Sequence, residues 1–263
     1  MASEETVPNP DAIERQIAES YDQKPGSTHY RAYVGGPRQF DRKAANQFRL
    51  LTTLGLRERH HVLEIGCGSL CLGRLLICYL LPQRYFAIEP KPQLWREMVR
   101  WELSEGLMAR KAPAFDSNAA FDLTVFERRF DFIVASAVFT HTGHDLLRTA
   151  IRQMRGALAN RAAQAIISLK CSGDTNTTDM QRGMDSLGWH YPDSVCYAPA
   201  EVIGLCRDAG VFCEVLPWHD IGKTWFRIVL RKDGVLTVGQ RALLDGRSVL
   251  DLKVQRPPPD VAD

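Results

Sequence analysis

Past Gly55 the chain alternates short, nearly continuous apolar runs with longer stretches whose apolar positions recur at helical spacing. Runs of that first kind, bounded by turn residues, pattern as buried strands; the second kind patterns as helices that cover them. HHVLEIG (60–66) is a first strand, SLCLGRLLICYLL (69–81) its helix, RYFAIEP (84–90) a second strand and KPQLWREMVRWELSEG (91–106) a second helix. ARKAPAF (109–115) makes a short third strand, FDFIVASAVF (130–139) a fourth, HDLLRTAIRQMRGALAN (144–160) a helix and AQAIISLK (163–170) a fifth strand. A further helix, PAEVIGLCRDAG (199–210), precedes the strands VFCEVLPW (211–218) and TWFRIVLRK (224–232), about seven strands in all. Such alternation predicts an α/β fold, a seven-stranded, mostly parallel sheet with helices on both faces.

Three segments stand outside the alternation. Residues 1–38 combine the helical stretch DAIERQIAESYDQ with the turn-rich KPGSTHY and VGGPRQFD, and form an N-terminal cap ahead of the main domain, 39–232, which opens on the amphipathic helix RKAANQFRLLTTLGL. After the fifth strand, residues from about 171 to 197 are polar and without period; a loop of that length in a compact domain is usually a lid or binding segment. Substrate contacts are expected there. Residues 233–263, ending QRPPPDVAD, form a C-terminal tail, frayed or draped on the surface.

Composition adds exclusions. A chain of 263 residues, 45% hydrophobic and 24% charged, suits one α/β domain with a sizeable core. A net charge of +2, evenly spread, argues against nucleic acid as an obligatory partner. No apolar run approaches the roughly 20 residues that cross a bilayer, and the acidic start MASEETVPNPD lacks the features of a secretory signal, so a soluble, cytoplasmic protein without a membrane partner is expected. The seven cysteines lack paired CxxC spacing and indicate neither a disulfide framework nor a metal site.

Candidate chemistry concentrates between His61 and Glu89. A buried strand runs into Gly66-Cys67-Gly68-Ser69, where two residues without a Cβ let the backbone turn sharply and approach a ligand. Glu64 stands two places before the first glycine on an otherwise apolar strand, so its carboxylate needs a cation or hydrogen-bond donor, and an ammonium group suits it. Glu89 ends the second strand, about twenty residues on, where an acid can accept hydrogen bonds from both hydroxyls of a ribose. A nicotinamide dinucleotide fits less well. Its fingerprint wants a third glycine where Cys71 stands, and Glu64 would place negative charge near a pyrophosphate.

With these residues in view, Glu64-Ile65-Gly66-Cys67-Gly68 resembles the first motif of the class I, Rossmann-like S-adenosylmethionine-dependent methyltransferases. The resemblance covers about residues 30 to 232. It implies S-adenosylmethionine as cofactor, with Gly66, Cys67, Gly68 and Ser69 against its methionine part, Glu89 on the ribose, and Asp116 with Ser117 at the adenine. Within Tyr33 to Glu102, YVGGPRQFD, LEIGCGSLCLGRLLICYL and YFAIEP look like a bacterial subgroup that methylates small molecules and envelope sugars. The chain departs from that subgroup at Cys71, where the subgroup carries Arg. The resemblance implies a transferase of biosynthesis or secondary metabolism. It also lacks the Asn/Asp-Pro-Pro-Tyr/Phe string that marks many amino-group methylators, which favours oxygen or carbon acceptors.

Ligands of such sheets bind outside the carboxyl ends of the strands, so Ser136 and His141, after the fourth strand, belong near the transferred methyl. His141 can take a proton from a hydroxyl; His219, beside Asp220, is a second candidate base. Trp189, His190 and Tyr191 in the lid, with Tyr33 in the cap, offer aromatic surface for a substrate. The expectation is O-methylation of a natural product or sugar, with carbon as a further acceptor and a homodimer left open. The alternatives are a non-methylating cyclisation or rearrangement on the same cofactor, a non-catalytic binding module, or RNA methylation through Arg74, Arg96 and Arg100, which solvated helix faces explain more simply.

Overall fold

The computed structural model of the protein describes residues 9–174, 176–220 and 222–245. Its centre is a seven-stranded sheet of order β3-β2-β1-β4-β5-β9-β8. The strands are β1 (Val62–Ile65), β2 (Tyr85–Ile88), β3 (Ala114–Asp116), β4 (Phe132–Ser136), β5 (Gln164–Leu169), β8 (Phe212–Val215) and β9 (Thr224–Val229). A two-stranded ladder inside the 171–197 segment supplies β6 (Gln181–Arg182) and β7 (Val195–Cys196). Strands β1 to β5 run parallel, and β9 inserts antiparallel between β5 and β8. The order reverses between β1 and β4, the switch point where open α/β sheets bind ligands.

One face of the sheet packs on α7 (His144–Ala157) and α8 (Pro199–Asp208), through Leu147, Ile151, Met154, Val202 and Leu205. The other carries α3 (Phe40–Thr53), α4 (Gly73–Tyr79) and α5 (Gln93–Glu102), through Leu50, Leu51, Leu76, Ile77 and Met98. Every residue of β1, β2 and β5 is buried, the mark of strands covered on both sides. Among the described residues no helix is long and apolar enough to cross a membrane.

The cap holds α1 (Pro10–Ser20) and α2 (Tyr30–Tyr33). Arg31, 2% exposed, clamps it down with a two-point bond to Glu102 of α5 at 2.6 and 2.7 Å and a third to Asp41 of α3 at 3.0 Å. Arg74 joins the same carboxylates. It is therefore a half-buried structural cation, while Arg96 and Arg100 lie over the neighbouring indoles of Trp95 and Trp101.

Two helices differ from the sequence expectation. The helix after the glycines begins at Gly73 rather than Ser69, because the chain first turns through Leu70 at φ 54°. A Cβ on Gly73 would lie 2.3 Å from the Tyr85 hydroxyl, so this close approach of helix to sheet needs a glycine. The expected long helix 91–106 ends at Glu102, and Ser104 caps a new one, α6 (Glu105–Lys111), which absorbs the start of the expected third strand. The segment expected as a lid carries β6 and β7, and its His190 amide donates to the His141 carbonyl after β4. The tail is packed as far as it is described: α9 (Val238–Leu244) buries Leu244, and Arg241 donates to Glu214 at 2.8 Å. The rest of the expected tail, 246–263, lies outside the described residues.

Candidate active site

The glycine bend sits at the tip of β1, at the switch point. Gly66 and Gly68 adopt φ 66° and 52°, left-handed values that a side chain resists. Their missing Cβ positions lie 2.5 Å from Val138, after β4, and 2.7 Å from Val34, in the cap. The loop thus lies tight between two elements. The carbonyl of Ile88, ending β2, accepts the Gly66 amide at 2.7 Å.

Two carboxylates flank the bend. Glu64, 5% exposed, accepts a hydrogen bond from the Tyr85 hydroxyl at 2.7 Å and has no cation in ion-pair contact among the described residues. Burial pushes its carboxyl up to about 8, against the pull of the Tyr85 hydrogen bond. Glu89, 8% exposed, accepts the Gly68 amide on one oxygen at 2.8 Å and the Lys91 amide on the other at 2.9 Å. Its pKa too is raised, by burial, with both amides opposing. Each carboxylate oxygen keeps a further lone pair.

The remaining expected cofactor residues fall into two groups. Asp116 ends β3 beside Glu89: its carbonyl accepts the Glu89 amide at 2.9 Å and its carboxylate the Asn118 amide at 2.8 Å, while Ser117 is exposed between them. Ser69 and Cys67 turn inward instead. The Ser69 hydroxyl is fully buried and donates to the Tyr30 carbonyl at 2.6 Å, fastening the cap, and the Cys67 thiol lies in the core, its pKa raised by burial.

On the far side of the switch point, Ser136 ends β4 and accepts from Gln47 of α3 at 2.9 Å. The chain then kinks through Ala137 at φ 62° and reaches His141. Its Nδ1 lies 2.6 Å from the Asp193 carbonyl. A carbonyl only accepts, so Nδ1 carries the proton and Nε2 keeps a lone pair in the neutral ring. Burial lowers the His141 pKa, with Lys170 and Lys223 adding to the effect. His219 is exposed, and Asp220 faces the Trp225 indole at 3.3 Å instead of the imidazole. The expected His219–Asp220 pair does not form in space, because neighbours along an extended segment point to opposite sides.

The lid and cap meet over Glu89. Tyr33 and Tyr191 stack at 6.0 Å, the Lys91 ammonium bonds the Tyr33 hydroxyl and lies 4.7 Å from the Tyr191 ring centre, and His141 meets Tyr191 edge-on at 5.2 Å. Trp189 stacks on Phe121 at 5.3 Å, beyond β3, and the His190 amide donates to the His141 carbonyl at 2.8 Å. The buried His190 Nε2 has no hydrogen-bond partner among the described residues. Sequence reasoning missed Gln47, Tyr85 and Lys91. Tyr85 alone left a trace, as a polar atom on the strand paired with Glu64.

The reversed strand order, with a glycine bend and two acids at the switch point, defines a Rossmann-like fold of the kind seen in methyltransferases. No family model and no curated protein matches the chain. Solved structures do. The sugar N-methyltransferase KedS8 from a Streptoalloteichus species aligns at TM-score 0.57 and 16% identity over 88% of this chain and 99% of its own. DhpI bound to S-adenosylhomocysteine gives 0.54 and 19% over 82% and 95%, and the magnesium protoporphyrin IX methyltransferase ChlM from Synechocystis 0.55 and 14% over 85% and 95%. The chain has their fold.

Proposed function

We propose that the protein is an S-adenosylmethionine-dependent methyltransferase acting on a small-molecule acceptor, with a hydroxyl of a natural product or sugar as the methylated group. The observation that carries this reading is Glu64: a carboxylate buried at the tip of a central strand, bonded to one phenol and lacking an ion-paired cation among the described residues, beside a bend whose two glycines hold left-handed φ. A ligand ammonium supplies the missing charge. The free lone pairs of Glu89 suit ribose hydroxyls, and Asp116 and Ser117 edge the position for adenine. When bound, the cofactor supplies a methyl on a positively charged sulfur.

The chain's own residues do the rest. Direct displacement gains most from alignment and exclusion of water. Tyr33, Tyr191 and Lys91 close the cradle from cap and lid, and the adjoining Trp189–Phe121 stack extends that wall. His141, with Nδ1–H fixed on Asp193, presents Nε2 as acceptor for the hydroxyl proton. KedS8 is described as an N-methyltransferase, so the fold itself does not select the atom. The preference for oxygen rests on the missing Asn/Asp-Pro-Pro-Tyr/Phe string and on a neutral base at the switch point.

Calorimetric titration with S-adenosylhomocysteine tests the reading. Micromolar binding that weakens in Glu64→Ala and Glu89→Ala is expected; no binding at millimolar concentration refutes it. Release of S-adenosylhomocysteine from S-adenosylmethionine on adding an acceptor separates methyl transfer from a rearrangement.

A further inference from the structure

We infer that the acceptor carries an acidic group, a carboxylate or phosphoryl oxyanion, received by Lys43 of α3 and by Lys170 and Lys223 at the tips of β5 and β9. The inference rests on the methyl-transfer reading above and names the acceptor class for it.

The register of the antiparallel pair comes first. Ser168 faces Trp225 and Leu169 faces Thr224 at the end of the ladder, so Lys170 and Lys223 are the residues that directly follow and precede the last pair. Side chains alternate across a strand. Ile166 and Trp225 belong to the core beneath α3, so Lys170 and Lys223 fall on that same face. Ser136 and Ser168, paired across β4 and β5, share it, and Ser136 is bonded to Gln47, one helical turn beyond Lys43 on α3. Three cations on three elements thus converge on one polar layer.

Asp220 is the one carboxylate that acts on Lys223, and it forms no ion pair with it. Among the described residues no carboxylate lies in salt-bridge contact with Lys43, Lys170 or Lys223. Like charges brought close together repel. Burial holds the Lys223 ammonium below the ordinary lysine range, and Lys43 and Lys170 push the same way, while Asp220 opposes. An oxyanion among the three turns repulsion into attraction.

The lysines are placed for the acceptor rather than the cofactor. The order β1-β4-β5-β9 sets β5 two strands and β9 three strands from the glycine bend. At strand spacing these are about 10 and about 14 Å. His141, after β4, stands between, and both strand-end lysines act on its pKa. An acidic group held there leaves the rest of the acceptor to reach back toward His141 and the cradle.

The test uses full-length protein saturated with S-adenosylhomocysteine, titrated with inorganic phosphate and, separately, acetate, by calorimetry and thermal unfolding. Phosphate, acetate or both should bind wild type and raise its Tm; the responding probe names the oxyanion. Lys170→Met/Lys223→Met should bind it at least about tenfold more weakly. In anion-free buffer the double variant should melt no lower than wild type, since the repulsion is gone, and its S-adenosylhomocysteine affinity should hold. Lys43→Met is the second variant, expected to weaken anion binding without disturbing the β5–β9 ladder. Neither anion binding wild type, or undiminished binding to the variants, overturns the inference. So does competition between anion and S-adenosylhomocysteine, which assigns the lysines to the cofactor's carboxylate. Anion binding by the lysines in a protein that ignores S-adenosylhomocysteine overturns the methyl-transfer reading and with it the assignment of the anion to an acceptor, while the lysines stand as an oxyanion site.

Discussion

Glu89 accepts the backbone amide of Gly68 at 2.8 Å, so the acid at the end of β2 and the bend at the end of β1 are one unit. A ligand on one is registered against the other.

Glu89→Ala should therefore cost twice. It should weaken S-adenosylhomocysteine binding by roughly 1 to 3 kcal/mol through unpaired ribose hydroxyls, and lower the Tm of the free protein by orphaning the Gly68 and Lys91 amides. Calorimetry and thermal unfolding check the two. A loss of affinity with unchanged Tm would show that the loop holds its shape without Glu89.

Glu64 makes stability depend on pH. Its carboxyl titrates at about 8 in the fold against an ordinary 4.5, so between those values the folded state binds more protons than the unfolded one. The ligand-free protein should lose stability as pH rises through that window and level off above it. Glu89 shifts the same way, so Glu64→Gln should reduce the slope without removing it. Urea midpoints across the window measure this; equal slopes in both proteins would place the titrating group elsewhere. Affinity for S-adenosylhomocysteine should rise over the same range in wild type, by at most about tenfold per pH unit for one proton.

His141→Ala should lower turnover by about 10² while S-adenosylhomocysteine affinity holds. Burial keeps the His141 pKa below 6.5, so kcat/KM should climb with pH below that value and be flat above it. A profile that climbs above it instead would assign the proton to another group.

Gly66→Ala should be destabilising, because its Cβ would lie 2.5 Å from Val138 at a backbone φ of 66°. Adding Val138→Ala removes the collision and leaves the backbone strain. The double variant should recover part of the lost Tm, and simple additivity would show that the two side chains do not meet.

Much of this arrangement is local and was legible along the chain. Strand, bend and helix follow one another within Val62–Tyr79, so periodicity and two glycines locate the bend, and a carboxylate on an apolar strand advertises a site. That most of the sheet is parallel follows from the same alternation, while its strand order does not. Capping detail is harder to read: Ser104 splits the helix expected over 91–106 by accepting the Leu107 amide, a short-range bond that the apolar pattern does not report.

Contacts between segments far apart in sequence were not legible. His219 and Asp220 are neighbours in the chain, yet Asp220 turns to Trp225. Tyr33, Lys91 and Tyr191 are distant in the chain, yet meet over Glu89. Lys170 and Lys223 come to the same end of the sheet only because β9 enters antiparallel and in one register, and a slip of one residue would send them to opposite faces. Sequence alone determined the fold class and the glycine cradle, since covalent order and side-chain periodicity are local properties. The tertiary structure decided which polar groups share that cradle and its flank, since packing across strands sets that choice.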